Sequence, residues 1–282
     1  MSSSVELTVV GGDGEEEERR GSGGAGRRRP RGVGQYEAGA APVRGRITEE
    51  DRRLLGWMGR HRFVTVAQLS RRFGRSGDMI RRRLRVLRGW GLAERVGPAI
   101  DGYDPAYRIT AAGLALVESR LRTPRVSPAT WVHEAALVDL AICLEARGLE
   151  VVTERELRAA EYGKDPKTGQ PRARWSLVFP TPTRDGDGRH YPDLVVPGEA
   201  CAYEVELSRK ELPRLERIVA AYRGARGRYR KVVYLVGSDS LRRRIEAVVS
   251  DGEGRQRALA ELTGVAAGGV EITVQRFDRV VV

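Results

Sequence analysis

The chain has 282 residues, enough for about two domains, and carries 50 Lys and Arg against 38 Asp and Glu, a net charge of +12. That surplus points to a polyanionic partner, nucleic acid or an anionic membrane surface. No apolar run approaches the roughly 18 residues a membrane-spanning helix needs, and the polar, glycine-rich N-terminus holds no signal-peptide core, so the expected location is the cytoplasm.

Charge is unevenly spread. Residues 1–46 hold 8 basic against 7 acidic side chains, residues 47–125 hold 17 against 8, and residues 126–282 hold 25 against 23. The excess therefore sits in the 47–125 segment. Cys143 and Cys201 both lie in apolar stretches and read as two buried free thiols, not as a disulfide or a zinc site.

Residues 1–46 combine the Glu15 to Glu18 run, the Gly21 to Gly26 stretch and the Arg27 to Arg31 cluster with almost nothing to bury, the composition of a disordered tail. Order begins at Thr48, which with Asp51 forms a capping-box pattern ahead of a helix presenting Leu54, Leu55, Trp57 and Met58 to a core. A second helix opens at Thr65, with Gln68 three residues on, and stops at Gly74. Ser76 caps a third, whose Ile80, Leu84 and Leu87 recur at helical spacing while Arg81, Arg82, Arg83, Arg85 and Arg88 take the rest of its surface. A strand over 92–96, a turn rich in Gly97, Pro98, Asp101, Gly102 and Pro105, and a returning strand over 107–109 complete a hairpin. Thr110, Gly113 and an apolar stretch follow.

This order resembles bacterial winged helix-turn-helix families that end their wing in a similar Tyr, Thr, Gly pattern, a resemblance that covers about residues 47 to 122 of a domain expected over 47–125. The resemblance implies a DNA-binding domain with the Arg-rich helix in the major groove. Arg81, Arg82, Arg83, Arg85, Arg88, Arg95 and Arg108 are then the expected DNA contacts, with double-stranded DNA the partner. A solvated basic face, or a winged helix serving as a protein-binding module, is the alternative.

From residue 126 the pattern alternates. Helices are expected at 129–147, 210–222 and 241–262, and strands at 150–153, 191–196, 202–207, 231–236 and 270–276, with an irregular hairpin around Trp175 to Phe179. That gives an α/β (α+β overall) protein with a mixed sheet in its second domain, residues 126–282. Within it Asp193 precedes Glu204, Val205 and Glu206, and strand alternation puts Glu204 and Glu206 on one face. Clustered oxygen ligands suit Mg²⁺ or Mn²⁺. Equally, alternating acids mark the wet face of a half-buried strand, or the sheet serves as a DNA clamp or dimerisation surface.

Here the chain resembles the PD-(D/E)XK nuclease superfamily and, more closely, the replication-relaxation family of actinobacterial plasmids and mobile elements, in which a winged helix precedes such a domain. The resemblance covers residues 47 to about 240. It implies a restriction-endonuclease-like fold, metal ligation by Asp193, Glu204 and the Val205 carbonyl, and catalysis by Asp193, Glu204, Glu206 and Lys210. Glu206 stands where the superfamily usually has Lys, and Lys210 lies four residues on to supply the charge. Glu134, beside His133, matches the acidic residue such nucleases add from their first helix, or is an exposed helix carboxylate. His190 is a candidate proton shuttle. Two functions follow from these readings: a Mg-dependent DNA nickase, or a non-enzymatic regulator or relaxosome accessory that dimerises or binds a relaxase or replication protein.

Overall fold

A computed structural model describes residues 46–97, 105–162, 174–179, 188–263 and 269–277, with the side chains of 255–263 excepted. The tail over 1–45, residues 98–104 of the hairpin turn and most of the polar loop after Glu161 lie outside the described residues. The protein is mixed α and β throughout. Among the described residues no helix is long and apolar enough to cross a membrane.

Helices α1 (Glu49–Gly59), α2 (Val66–Phe73) and α3 (Gly77–Gly89) each start where a side chain satisfies free backbone N–H groups. Thr48 and Asp51 cap α1 reciprocally, Thr65 and Gln68 do the same for α2, and Ser76 accepts from the Met79 N–H of α3. Gly74 ends α2 at φ 61°, a left-handed conformation that favours glycine. Strands β1 (Val64–Thr65), β2 (Ala93–Val96) and β3 (Ala106–Ile109) form an antiparallel sheet in the order β1-β3-β2. Thr110 then caps the short α4 (Ala111–Leu116), where a Cβ on Gly113 would lie 2.2 Å from the Leu92 carbonyl oxygen, so only glycine lets these segments meet.

A five-stranded sheet in the order β10-β9-β8-β7-β4 occupies the rest of the chain, built from β4 (Val152–Thr153), β7 (Leu194–Val196), β8 (Cys201–Glu206), β9 (Lys231–Val236) and β10 (Glu271–Arg276). Strands β8, β9 and β10 run parallel, while β7 and β4 pair antiparallel. Helices α7 (Leu212–Gly224) and α8 (Asp239–Thr263) make the two crossovers. They pack Leu215, Ile218, Val219, Ile245 and Val249 on the face formed by Val195, Ala202, Val232 and Val236. Helix α6 (Glu154–Ala160) and a small hairpin of β5 (Leu177–Val178) and β6 (Arg189–His190) lie outside this sheet.

Helix α5 (Trp131–Ala146) is apolar around nearly its whole circumference because it is buried on two sides. Ala136, Leu137, Leu140 and Leu144 pack on the second sheet face, against Leu194, Val205 and Val233. Val138 and Ile142 turn the other way, into the core of α1, α2 and α3. The boundary expected at 125/126 therefore falls before a helix that both cores share. One expectation is corrected: Cys201 is buried, but Cys143 is exposed, since the two-sided packing of α5 leaves a narrow open stripe.

Candidate nucleic-acid interface and carboxylate cluster

The amphipathic pattern of α3 separates its two faces. Ile80, Leu84 and Leu87 are buried, and the opposite arc carries Arg81, Arg82, Arg85 and Arg88, all exposed. Arg81 pairs with Asp78 at 3.0 Å. Arg82, Arg85 and Arg88 form no ion pair among the described residues, nor does exposed Arg95 on β2. Two of the seven expected DNA contacts stand elsewhere. Arg83 folds back onto buried Asp51, and Arg108 binds Glu94 at 2.6 Å and the Pro124 carbonyl at 2.9 Å. Both brace the fold.

Much of the remaining positive charge near the N-terminus is committed to an internal seam. Arg60 pairs with Glu145 at 2.6 Å and Glu156 at 2.9 Å, and Arg62 with Glu134 at 2.7 Å and Glu154 at 3.1 Å. Arg72 reaches Glu145 at 2.6 Å, and Arg71 reaches Asp139. Gln68 donates to Asp139 at 2.9 Å and the Trp57 indole N–H to Glu145 at 2.9 Å. Each pair joins α1, α2 or the segment between them to α5 or α6. Burial pushes the Asp139 carboxyl up, against the Gln68 and Arg71 contacts that hold it down. His61 sits under Trp57 with Nε2 unpartnered, and burial, with Arg60, Arg155 and Arg72 around it, pushes its pKa well below the usual range.

The carboxylates near β8 sit at a break in the ladder. Antiparallel pairing of β7 with β8 ends at Leu194 and Tyr203, so the Val205 N–H has no strand partner on that side; the Asp193 carboxylate accepts from it at 2.8 Å. His133 Nε2 lies 3.3 Å from the same Asp193 oxygen. Burial alone would lower the His133 pKa, but the Asp193 hydrogen bond and charge raise it to about 9. Beside it, burial raises Glu134 to about 7, despite Arg62 and His133.

Glu204 and Glu206 share the sheet face under α7 and are 1% and 5% exposed, which removes the wet-face alternative. Glu204 Oε1 receives the Tyr222 hydroxyl and lies 2.6 Å from His190 Nε2. Burial would raise Glu204, but the His190 and Lys210 charges hold it below its ordinary value. Glu206 pairs with Lys210 at 2.5 Å; Lys210 stands in the loop before α7 and not inside it. Burial nonetheless leaves the Glu206 carboxyl raised.

Cluster and seam share a wall, since Asp193, Glu134, Glu154, Arg62 and His61 line one cavity of about 20 Å³. Each carboxylate is turned to a protein partner: Asp193 to Val205 and His133, Glu204 to His190 and Tyr222, and Glu206 to Lys210. Among the described residues no three His, Cys, Asp or Glu side chains converge on a point.

Residue reading missed Arg60, Arg62, Glu145 and Tyr222. Their partners lie many residues away in the chain, and an arginine on a helix looks alike whether it meets water, phosphate or a distant carboxylate. A sequence profile of the replication-relaxation family matches residues 55–233, more than half of the chain. No curated protein and no solved structure matches.

Proposed function

The chain belongs to the replication-relaxation family, and on that premise we propose that it binds double-stranded DNA through α3, as an accessory in plasmid or mobile-element replication or relaxation. The observation that carries this reading is a sorting of arginines. Those of α2 and of the segment between α1 and α2 that face the seam meet carboxylates, while Arg82, Arg85 and Arg88 stand exposed on the outer arc of one helix and form no ion pair among the described residues. Guanidinium groups held in that way suit phosphate oxygens and guanine edges. The element order α1, α2, α3, β2, β3 supports treating the unit as a winged helix, with α3 entering the groove and Arg95 on the wing strand beside it.

In this reading the Asp193, Glu204 and Glu206 cluster serves the fold. Asp193 completes the β8 ladder, Glu204 anchors α7 through Tyr222, and Glu206 anchors the loop through Lys210. No hydrolytic step is assigned to it. The test is duplex binding followed by fluorescence anisotropy across a salt series, with Arg82→Ala/Arg85→Ala beside the wild type. The double variant is expected to bind more weakly and with a shallower dependence of log K on log salt. Unchanged affinity and slope would remove α3 from the interface.

A further inference from the structure

Because β8 and β9 are parallel and in register from Cys201↔Lys231 to Glu206↔Val236, both end on the same edge of the sheet. The segments that carry the chain into α7 and α8 therefore leave the sheet side by side on one rim. The two segments leaving it are tied to each other. The Gly237 N–H donates to the Glu206 carbonyl at 3.1 Å, and the Arg244 guanidinium to the Lys210 carbonyl at 3.2 Å. A Cβ on Gly237 would lie 3.1 Å from Leu207 Cδ2, so the segments touch along their length.

Exposed arginines stand on both sides of the junction. Arg209 and Arg214 follow β8, and Arg243 lies in the first turns of α8; all three are exposed and form no ion pair among the described residues. Lys210, between the first two, is instead held by Glu206. Ser238 and Ser240 add hydroxyl groups 3.0 Å apart, Ser238 also accepting the Leu241 N–H at the start of α8. Exposed guanidinium groups spread over two adjoining segments, with hydroxyl donors between them, match a row of phosphodiester oxygens better than a single small anion.

We propose that this rim is a second DNA-backbone contact, separate from α3, that takes successive phosphates of a duplex. The proposal rests on reading the chain as DNA-binding. It gives the second half of the molecule a role in affinity without base readout, because guanidinium contacts to phosphate carry no sequence information.

The experiment measures binding of a random-sequence duplex across a salt series for five proteins: wild type, Arg209→Ala/Arg243→Ala, the charge reversal Arg209→Glu, Arg82→Ala/Arg85→Ala, and Arg147→Ala as an exposed arginine beyond the far end of α5. Thermal melts confirm folding. The rim double variant is expected to lose affinity several-fold and to lower the salt slope by about 2, since each neutralised phosphate contributes about 0.9. Arg147→Ala should match wild type, and the charge reversal Arg209→Glu should deepen the loss. Wild-type affinity and slope in the rim variants, with the α3 variant weakened, overturns the rim and leaves the α3 reading standing; the rim would then be open to an acidic protein surface. The opposite pattern keeps the rim and removes α3. A loss shared by Arg147→Ala counts against the rim, because it reports net charge rather than a site.

Discussion

Arg62 Nε lies 2.7 Å from Glu134 Oε1, and the next residue back along α5, His133, lies 3.3 Å from Asp193. Adjacent positions on one helix thus hold the arginine-rich N-terminal unit on one side and the carboxylate cluster on the other. The consequences can be measured.

Arg83 and Arg82 are neighbours with opposite assignments. Arg83→Ala strips the partner from Asp51, which is 2% exposed and also caps α1. The expected cost is about 3 kcal/mol, the size seen when a buried pair loses one member. Arg82→Ala should leave stability within roughly 0.5 kcal/mol, as for other surface substitutions, while weakening DNA binding. Denaturant melts of the two variants decide it, and equal stability losses would contradict the assignment.

Glu145 receives Trp57, Arg60 and Arg72 at once. Glu145→Gln keeps its volume but removes the charge, and should destabilise by about 2 to 3 kcal/mol because Arg72 loses its carboxylate partner and Arg60 keeps only Glu156. At about 2 to 4 °C per kcal/mol for a chain of this size, the melting temperature should fall by roughly 4 to 12 °C. An unshifted transition would mean that the seam contributes nothing to holding the units together.

His133 gives stability a pH dependence of known sign. Its folded pKa, about 9, lies above the ordinary value of 6.5, so the folded state binds the proton more tightly. Its contribution is complete below pH 6.5 and is lost as pH rises through 9. Melting temperatures of wild type and His133→Gln, compared from pH 6 to 9.5, should differ most at the acidic end and converge at the alkaline end. A constant gap would assign the effect to packing.

Supercoiled plasmid incubated with the protein in Mg²⁺, in Mn²⁺ or in EDTA should remain intact, because Asp193, Glu204 and Glu206 are tied to protein partners. Asp193→Ala should behave identically on DNA, yet melt earlier than wild type, having lost the acceptor for the Val205 N–H. Metal-dependent nicking abolished by that substitution would return the cluster to catalysis.

The starts of α1, α2 and α3 were legible because capping is local: Thr48 with Asp51, Thr65 with Gln68, and Ser76 each act within three residues. Strand β9 matches its expected bounds of 231–236, because the apolar run from Val232 to Val236 follows Lys231 and stops at Gly237. Helix α6 is not legible in the sequence although Thr153 and Glu156 repeat the Thr65 and Gln68 pattern, since its seven residues are too few to show an apolar period. Glu204 and Glu206 were placed on one face by alternation alone. What covers that face depends on Tyr222 and Lys210, whose approach only the crossover helix determines. For Arg83 and Arg108, exposure was assumed from helix and hairpin pattern, and the long-range partners Asp51 and Pro124 overrode it.

The double burial of α5 also bears on how the protein comes into being. Val138 and Ile142 belong to the core built by α1, α2 and α3, yet they are synthesised after every other element of that core. A nascent chain that has emerged only as far as α4 would carry an open apolar flank over Leu69 and its neighbours. That flank closes when α5 leaves the ribosome, and α5 then exposes the flank that the sheet will cover. Synthesis therefore proceeds through a relay of half-finished surfaces, each covered by the segment that follows.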